Sequence, residues 1–269
     1  MSSSDDRISE TERRGLTRRQ LLEGALIAGG AVGVSAVVGA CGGSSSGSAS
    51  AASGSGGLFP SHPSWKFVFV NHVTTNPFFV PTQYGLEDLG SVLGVTTQWT
   101  GSQNSVVSEM VDAMNTAISA KADGIAVCIV DPHAFDDPVD KAISGGIPVI
   151  AYNADAPTAS TNKRLAYVGQ DLYASGQAMG QRIVQLVDSG PIVIFIATPG
   201  SLNIQPRADG AKAAIAASGK SITVDVIATG AQVADELSAI EAYYQGHKSV
   251  KGMFAVDAGS TESVAQVMD

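Results

Sequence analysis

The chain has 269 residues, 44% hydrophobic and 15% charged, with a formal net charge of -9, which gives it apolar material for one large or two ordinary globular domains and excludes a disordered polymer. No stretch of Lys and Arg is longer than a pair, so nothing forms a groove for nucleic acid phosphates, and the acidic surface mainly favours solubility. Cys41 follows a run of small residues while Cys128 lies inside the apolar segment Ile125-Ala126-Val127-Cys128-Ile129-Val130, a contrast that does not fit a disulfide framework.

The N-terminal 57 residues read as targeting sequence and do not enter the fold. Arg13, Arg14, Arg18 and Arg19 precede a stretch that carries no charge between Glu23 and Lys66. Residues 24–40 are apolar but rich in Gly and Ala, and fall short of the roughly 20 residues of a membrane span. They suit the core of a signal peptide, with a transmembrane anchor as the competing reading. Thr17-Arg18-Arg19-Gln20-Leu21-Leu22 resembles a twin-arginine export signal, and Val38-Gly39-Ala40-Cys41 resembles a bacterial lipobox. The resemblance implies that Arg18 and Arg19 direct export and that Cys41 becomes the lipidated first residue. Residues 1–40 are thus assigned as signal peptide, and 41–65 as lipidated Cys and Ser/Gly-rich tether. The folded part is expected outside the cytoplasm, held to the bacterial cell membrane by lipid alone.

From Lys66 onward, apolar runs alternate with amphipathic segments. The spacing predicts strands at 66–71, 95–99, 124–130 and 147–152, and helices at 81–93, 106–121 and 134–144. The second helix places Val107, Met110, Met114 and Ile118 on one face. Four strands alternating with three helices imply a parallel sheet covered on both faces. After a polar interruption at 153–164 the alternation resumes, with strands at 166–168, 191–197, 223–227 and 252–256, and helices at 172–187, 207–217 and 234–244. A last helix begins at Ser260 without a stop signal. The expected fold is α/β, two Rossmann-like lobes with parallel sheets joined by a hinge, the first at 66–155 and the second, incomplete, at 156–269.

Four motifs stand at predicted element ends: Asn76-Pro77-Phe78-Phe79, Pro148-Val149-Ile150-Ala151-Tyr152-Asn153, Arg207-Ala208-Asp209-Gly210 and Phe254-Ala255-Val256-Asp257. In this order they resemble the type I periplasmic binding proteins for sugars, the ribose-binding group that feeds ABC importers. The resemblance spans 66–269. It implies capture of a small sugar or polyol between two lobes, delivery to an ABC transporter permease, a monomer, no cofactor and no metal. It also implies later crossings and a final helix that are absent here, hence the incomplete second lobe and an expectation of weak sugar binding or none.

A sugar ring offers C–H groups on its faces and hydroxyls round its rim, so aromatic rings grip the faces while planar polar groups meet the rim. Phe78 and Phe79 are accordingly expected on the faces, and Asn76 and Asn153 on hydroxyls. Arg207 would fork two donors onto neighbouring oxygens, and Asp257 would accept a hydroxyl proton or, alternatively, cap the last helix. Gln103, Asn104 and Gln232 are weaker candidates, and Tyr152 is expected to pack at the hinge. Two departures from the ribose-binding pattern, Asn153-Ala154 in place of an Asp-Arg pair and Asp257 in place of an Asn, leave pentose, hexose and polyol open.

The main competing class is an α/β enzyme. No G-x-G-x-x-G opens a helix after the first strand, no P-loop occurs, and no G-x-S-x-G elbow follows a predicted strand. His62, His72, His133 and His247 are scattered without metal-ligand spacing; His72, near the expected cleft, reads as a structural or rim residue. A repressor effector domain shares the fold but would begin with DNA-binding helices, where this chain has an export signal. A sugar-sensing lipoprotein partnered with a membrane receptor is the remaining alternative to transport.

Overall fold

The computed structural model describes residues 60–157 and 162–269. The export signal at Arg18 and Arg19, the lipid site at Cys41 and most of the tether lie outside the described residues. Trp65, assigned to the tether, is already engaged: its carbonyl accepts from the Thr96 amide at 2.8 Å and its ring stacks on His62.

The first lobe is built on five parallel strands, β1 (Lys66–Asn71), β2 (Thr96–Gly101), β3 (Gly124–Val127), β4 (Val149–Tyr152) and β5 (Tyr167–Val168), in the spatial order β2-β1-β3-β4-β5. Every residue of β3 is buried, as befits an apolar strand of a parallel sheet with both faces covered. The connecting helices are α1 (Val80–Leu93), α2 (Val107–Ser119) and α3 (Asp136–Ser144). Met110 and Met114 of α2 and Val139 and Ala142 of α3 are among the side chains that join Val68, Val70 and Val127 in one core.

The lobe boundary differs from the sequence expectation. The segment after β4 does not leave the first lobe at residue 156; it returns to the same sheet as β5, which pairs with β4 through Ala151↔Tyr167 and Tyr152↔Val168. The return is zipped along its length by Leu165 N to Val149 O (2.8 Å), Ala151 N to Ala166 O (2.8 Å) and Asn153 N to Val168 O (3.1 Å). An ion pair of Arg164 with Asp155 ties its two ends together. The first lobe therefore reaches Val168, and the described residues on either side of the hinge expected near 153–162 belong to that lobe. The chain crosses at 169–171, and Asp171 caps the next helix by accepting from the Ala174 amide at 2.9 Å.

Beyond the crossing lie α4 (Leu172–Leu186), β6 (Gly190–Ile196), α5 (Gln205–Ala217), β7 (Ile222–Ala228), α6 (Val233–Gly246), β8 (Met253–Ala255) and α7 (Ala258–Met268). The strands form a parallel sheet in the order β7-β6-β8. β6 is buried from Ile192 to Ile196, and its alternating side chains divide between the two faces. Ile192, Ile194 and Ile196 pack among residues of α4 and α5, such as Ile183, Ala208 and Ala211. Val193 and Phe195 meet Ile240 and Tyr243 of α6 and Val264 and Val267 of α7.

The contact between α4 and α5 needs small residues. A β-carbon on Gly176 would overlap the Arg207 carbonyl, and one on Gly180 would overlap the Ala211 carbonyl. This close approach holds the first turn of α5, with Arg207 on it, against α4. Among the described residues no helix is long and apolar enough to cross a membrane.

Candidate functional site

Ligands of open parallel sheets collect beyond the carboxyl ends of the strands, and here both sheets aim those ends at one cavity. From the first lobe come His72, Asn76, Phe78 and Phe79 after β1, Ser105 after β2 and Asn153 after β4. From the second come Thr198 and Asn203 after β6, Arg207 on α5, Glu236 on α6, and Asp257 and Gly259 after β8. About 540 Å³ of empty space lies between them, part of it open to solvent. All six residues expected from the sequence line this one cavity.

The lobes touch around it. The Leu202 amide donates to the Val130 carbonyl at 2.9 Å, and the Gln232 side-chain amide donates to the Gln103 carbonyl at 2.7 Å and to Asn104 Oδ1 at 2.8 Å. The three weaker candidates of the sequence are thus a latch between the lobes.

On the first-lobe side, Asn76 accepts from the Phe78 amide at 3.0 Å and caps a single 3-10 turn, Pro77–Phe79. Its oxygen is engaged, and its NH2 group remains as donor. The adjacent rings divide their work. Phe78 is 54% exposed, whereas Phe79 is 3% exposed and packs in the core against Trp99 and the edge of His72. Phe78 is the accessible platform, and Phe79, which meets it edge-on at 5.0 Å, buttresses it. Asn153 has φ of 62°, a left-handed conformation that Asn tolerates better than most residues. Tyr152 is buried below, where its hydroxyl accepts from Asn71 Nδ2 at 3.0 Å. Burial pushes the neighbouring Cys128 thiol up to about 12, leaving it inert.

His72 joins the two halves. Ser201 Oγ donates to Asn203 Oδ1, which turns the Asn203 NH2 group to donate to His72 Nε2 at 2.9 Å. The imidazole then carries its proton on Nδ1, a buried atom without a protein partner. Burial lowers its pKa to about 4, so the ring is neutral near pH 7. Of the structural and rim roles expected for His72, the geometry gives the structural one, a contact between the lobes.

On the second-lobe side, Arg207 donates through Nη1 to the Val256 carbonyl at 3.1 Å and through Nη2 to Gln170 Oε1 at 3.1 Å. Its charge faces Asp257, while burial pulls the guanidinium below its ordinary pKa. Asp257 caps α7 by accepting from the Ser260 amide at 2.8 Å, and its other oxygen accepts from the Ala197 amide at 2.8 Å. Each carboxylate oxygen keeps a further lone pair for a ligand. Glu236, 1% exposed, has Asp257 as a charged neighbour, and its Oε2 has no hydrogen-bond partner. Burial first, then the adjacent Asp257, pushes its pKa up to about 8.

Sequence reasoning missed Glu236, Asn203 and Ser105. Glu236 had a legible signal, since it sits on the stripe of Ile240 and Tyr243, an acid where helical spacing calls for an apolar side chain. Asn203 and Ser105 stand in loops after strand ends and carry no comparable mark.

Residues 67–269 match the periplasmic binding protein domain. The chain is 54% identical over 220 residues to the xylose/arabinose-binding protein XylF of Sulfolobus acidocaldarius, an alignment covering 79% of this chain and 54% of that protein. The chain thus spans about half the length of this curated relative. An ABC transporter solute-binding protein from Burkholderia graminis, solved in complex with D-arabinose, is 27% identical with a TM-score of 0.69, over 76% of this chain and 70% of that one. The XylFII–LytSN complex contains a chain of the same fold, 22% identical, with a TM-score of 0.70 over 76% and 74% of the two chains.

The two shifted groups dictate a pH profile of stability. His72, lowered from 6.5 to about 4, contributes stability that is present above pH 6.5 and lost as pH falls toward 4. Glu236, raised from 4.5 to about 8, contributes stability that is present below pH 4.5 and lost as pH rises toward 8. Between pH 4.5 and 6.5 the two trends oppose each other. Above pH 6.5 only the Glu236 loss continues, at up to about 1.4 kcal/mol per pH unit. Urea unfolding across pH 6.5–8 is expected to show this decline in the wild type and a flatter line in Glu236→Gln; equal slopes would contradict the burial of Glu236 as an acid.

Proposed function

The chain belongs to the periplasmic binding protein domain family, and from that premise we propose that it captures a small neutral sugar, a pentose first among them, between its two lobes and hands it to an ABC import permease. The observation that carries this reading is the convergence of six residues, four before the chain crossing and two after it, on one cavity: Asn76, Phe78, Phe79 and Asn153 from the first lobe meet Arg207 and Asp257 from the second.

The chemistry suits a polyhydroxy ring. Phe78 supplies an exposed apolar face, while Asn76, Arg207 and Asp257 supply a donor, a forked cation and an acceptor for its rim. A pentose is favoured because the similar Sulfolobus protein is named for xylose and arabinose and the Burkholderia structure contains D-arabinose. Loss and gain of the latch at Gln232 would be the opening and closing of the lobes about 169–171, with the closed form presented to the permease. Family membership implies an extracytoplasmic location. We further propose that a monomer acts there, anchored through lipid on Cys41, with neither cofactor nor metal and no catalysis.

Titration calorimetry with D-xylose, L-arabinose, D-ribose, D-glucose and xylitol is expected to show one site, tightest for a pentose. Charge-assisted hydrogen bonds are worth about 1.5–3 kcal/mol, so Arg207→Ala should weaken binding roughly 10- to 150-fold. An absence of heat with every sugar, or an unchanged Arg207→Ala, would refute the reading. For the anchor, labelled lipid should be incorporated by the wild type in cells and lost in Cys41→Ala; an unlabelled wild type would refute it.

A further inference from the structure

Glu236 is placed with more care than a chance acid in a cleft. It occupies the inward stripe of α6, 1% exposed, next to the fully buried Ile240. Its carboxyl group lies so close to Gly259 that a β-carbon there would overlap both oxygens; the absence of a side chain at 259 is what makes room. Oε2 is sealed from solvent and has no hydrogen-bond partner, although the residue lines the cavity. Beside it stands Asp257, whose two oxygens already accept from the Ala197 and Ser260 amides. A buried carboxyl group beside a second, part-buried carboxylate ionises only against desolvation and repulsion, and a proton on the pair relieves both.

We propose that the Glu236–Asp257 pair is the proton-bearing, ligand-selecting part of this cleft, holding one proton between its carboxyl groups so that a neutral hydroxylated ligand is accepted and an anionic one rejected. The proposal rests on the sugar-binding reading of the same cavity and adds to it a residue and a rule of selection. With the proton present, the pair offers a hydroxyl donor as well as acceptors to a sugar rim. Arg207 alone would favour sugar acids; the acid pair beside it removes that advantage, because a ligand carboxylate would meet the negative charge that the singly protonated pair retains.

The charged surroundings support a carboxyl that keeps its proton. Asp235 on the same helix and Glu262 on α7 add negative charge, and both, like Asp257, oppose ionisation of Glu236. The cation of the site, Arg207, is directed at Asp257, the Val256 carbonyl and Gln170. His72, on the opposite wall, is neutral above pH 6.5 whether the cleft is open or closed, since its ordinary pKa of 6.5 is only lowered by burial. Closing the lobes withdraws water from Glu236 and raises its proton affinity toward that of the closed cleft, about 8. By linkage, capture at pH 6.5–8 takes up a proton, and affinity falls as pH rises through this window.

The test is calorimetry of the whole chain with D-xylose at several pH values from 6.5 to 9, in two buffers of different ionisation enthalpy, repeated with Glu236→Gln and with D-xylonate as ligand. The wild type is expected to lose affinity by up to tenfold per pH unit up to about pH 8 and then level off, with proton uptake visible as a buffer-dependent heat. Glu236→Gln, which keeps shape and a donor but cannot titrate, should show a flat pH profile and no buffer dependence in whatever D-xylose binding it retains. D-xylonate should bind the wild type at least tenfold more weakly than D-xylose. Sugar binding that is flat with pH in the wild type, the same pH profile in the variant, or equal affinity for the acid would overturn the proposal while leaving the sugar-binding reading intact. No binding of D-xylose, L-arabinose or any other sugar at pH 6.5 would overturn both.

Discussion

Polar groups that are removed from water must find partners, and this requirement organises the cleft. His72 is satisfied at Nε2 by Asn203, Asp257 by two backbone amides, and Arg207 by the Val256 carbonyl and Gln170. Within the cleft, Nδ1 of His72 and Oε2 of Glu236 are buried without a protein partner. Both belong to residues lining the cavity, where a ligand with hydroxyls in several directions would supply what the protein does not. The same deficit pushes the two pKa values in opposite directions, toward a neutral imidazole and a neutral acid. Each lobe thus presents a buried titratable group in its uncharged form near neutral pH, an arrangement suited to a neutral polar ligand.

The scaffold turns that requirement into geometry. In the second lobe, the strict alternation of β6 sends Ile192, Ile194 and Ile196 to one helix layer and Val193 and Phe195 to the other, fixing the sheet between them. Small residues let α4 and α5 approach closely and set the height of Arg207. Gly259 does the same for Glu236. Between the lobes, by contrast, the bonds are few and polar: Leu202 to Val130, Asn203 to His72, Gln232 to Gln103 and Asn104. Such contacts are exchangeable for water at small net cost, and beside them Ala231 packs against the first-lobe core, so parting the lobes gives up these polar bonds and that apolar contact while the interior of each lobe stays packed.

The elements were legible because their periods were clean. The Val107, Met110, Met114 stripe and the apolar run of β3 announce a helix and a buried strand, and the parallel order follows from their alternation. The boundary between lobes was not legible, because β5 is a two-residue strand whose attachment to β4 depends on backbone bonds that leave no side-chain pattern. The site residues named from sequence all stand on the cavity wall, but adjacent Phe78 and Phe79 gave no indication of which ring would face out. That was decided by packing of Phe79 against Trp99 and His72. Glu236 was hidden for the opposite reason: its signal, an acid on an apolar stripe, was present, but the charge of a first-turn residue is also what a helix N-terminus favours.

The claim on which the account stands is that one sugar lies between the lobes and is touched by both. A crystal structure of the chain grown with saturating D-xylose measures this directly. The account predicts density for one pentose with a ring face on Phe78, hydroxyls within about 3.2 Å of Arg207 and of the Glu236–Asp257 pair, and the Gln232 latch closed. A cleft without sugar, or a pentose bound to one lobe alone or elsewhere on the surface, would contradict it.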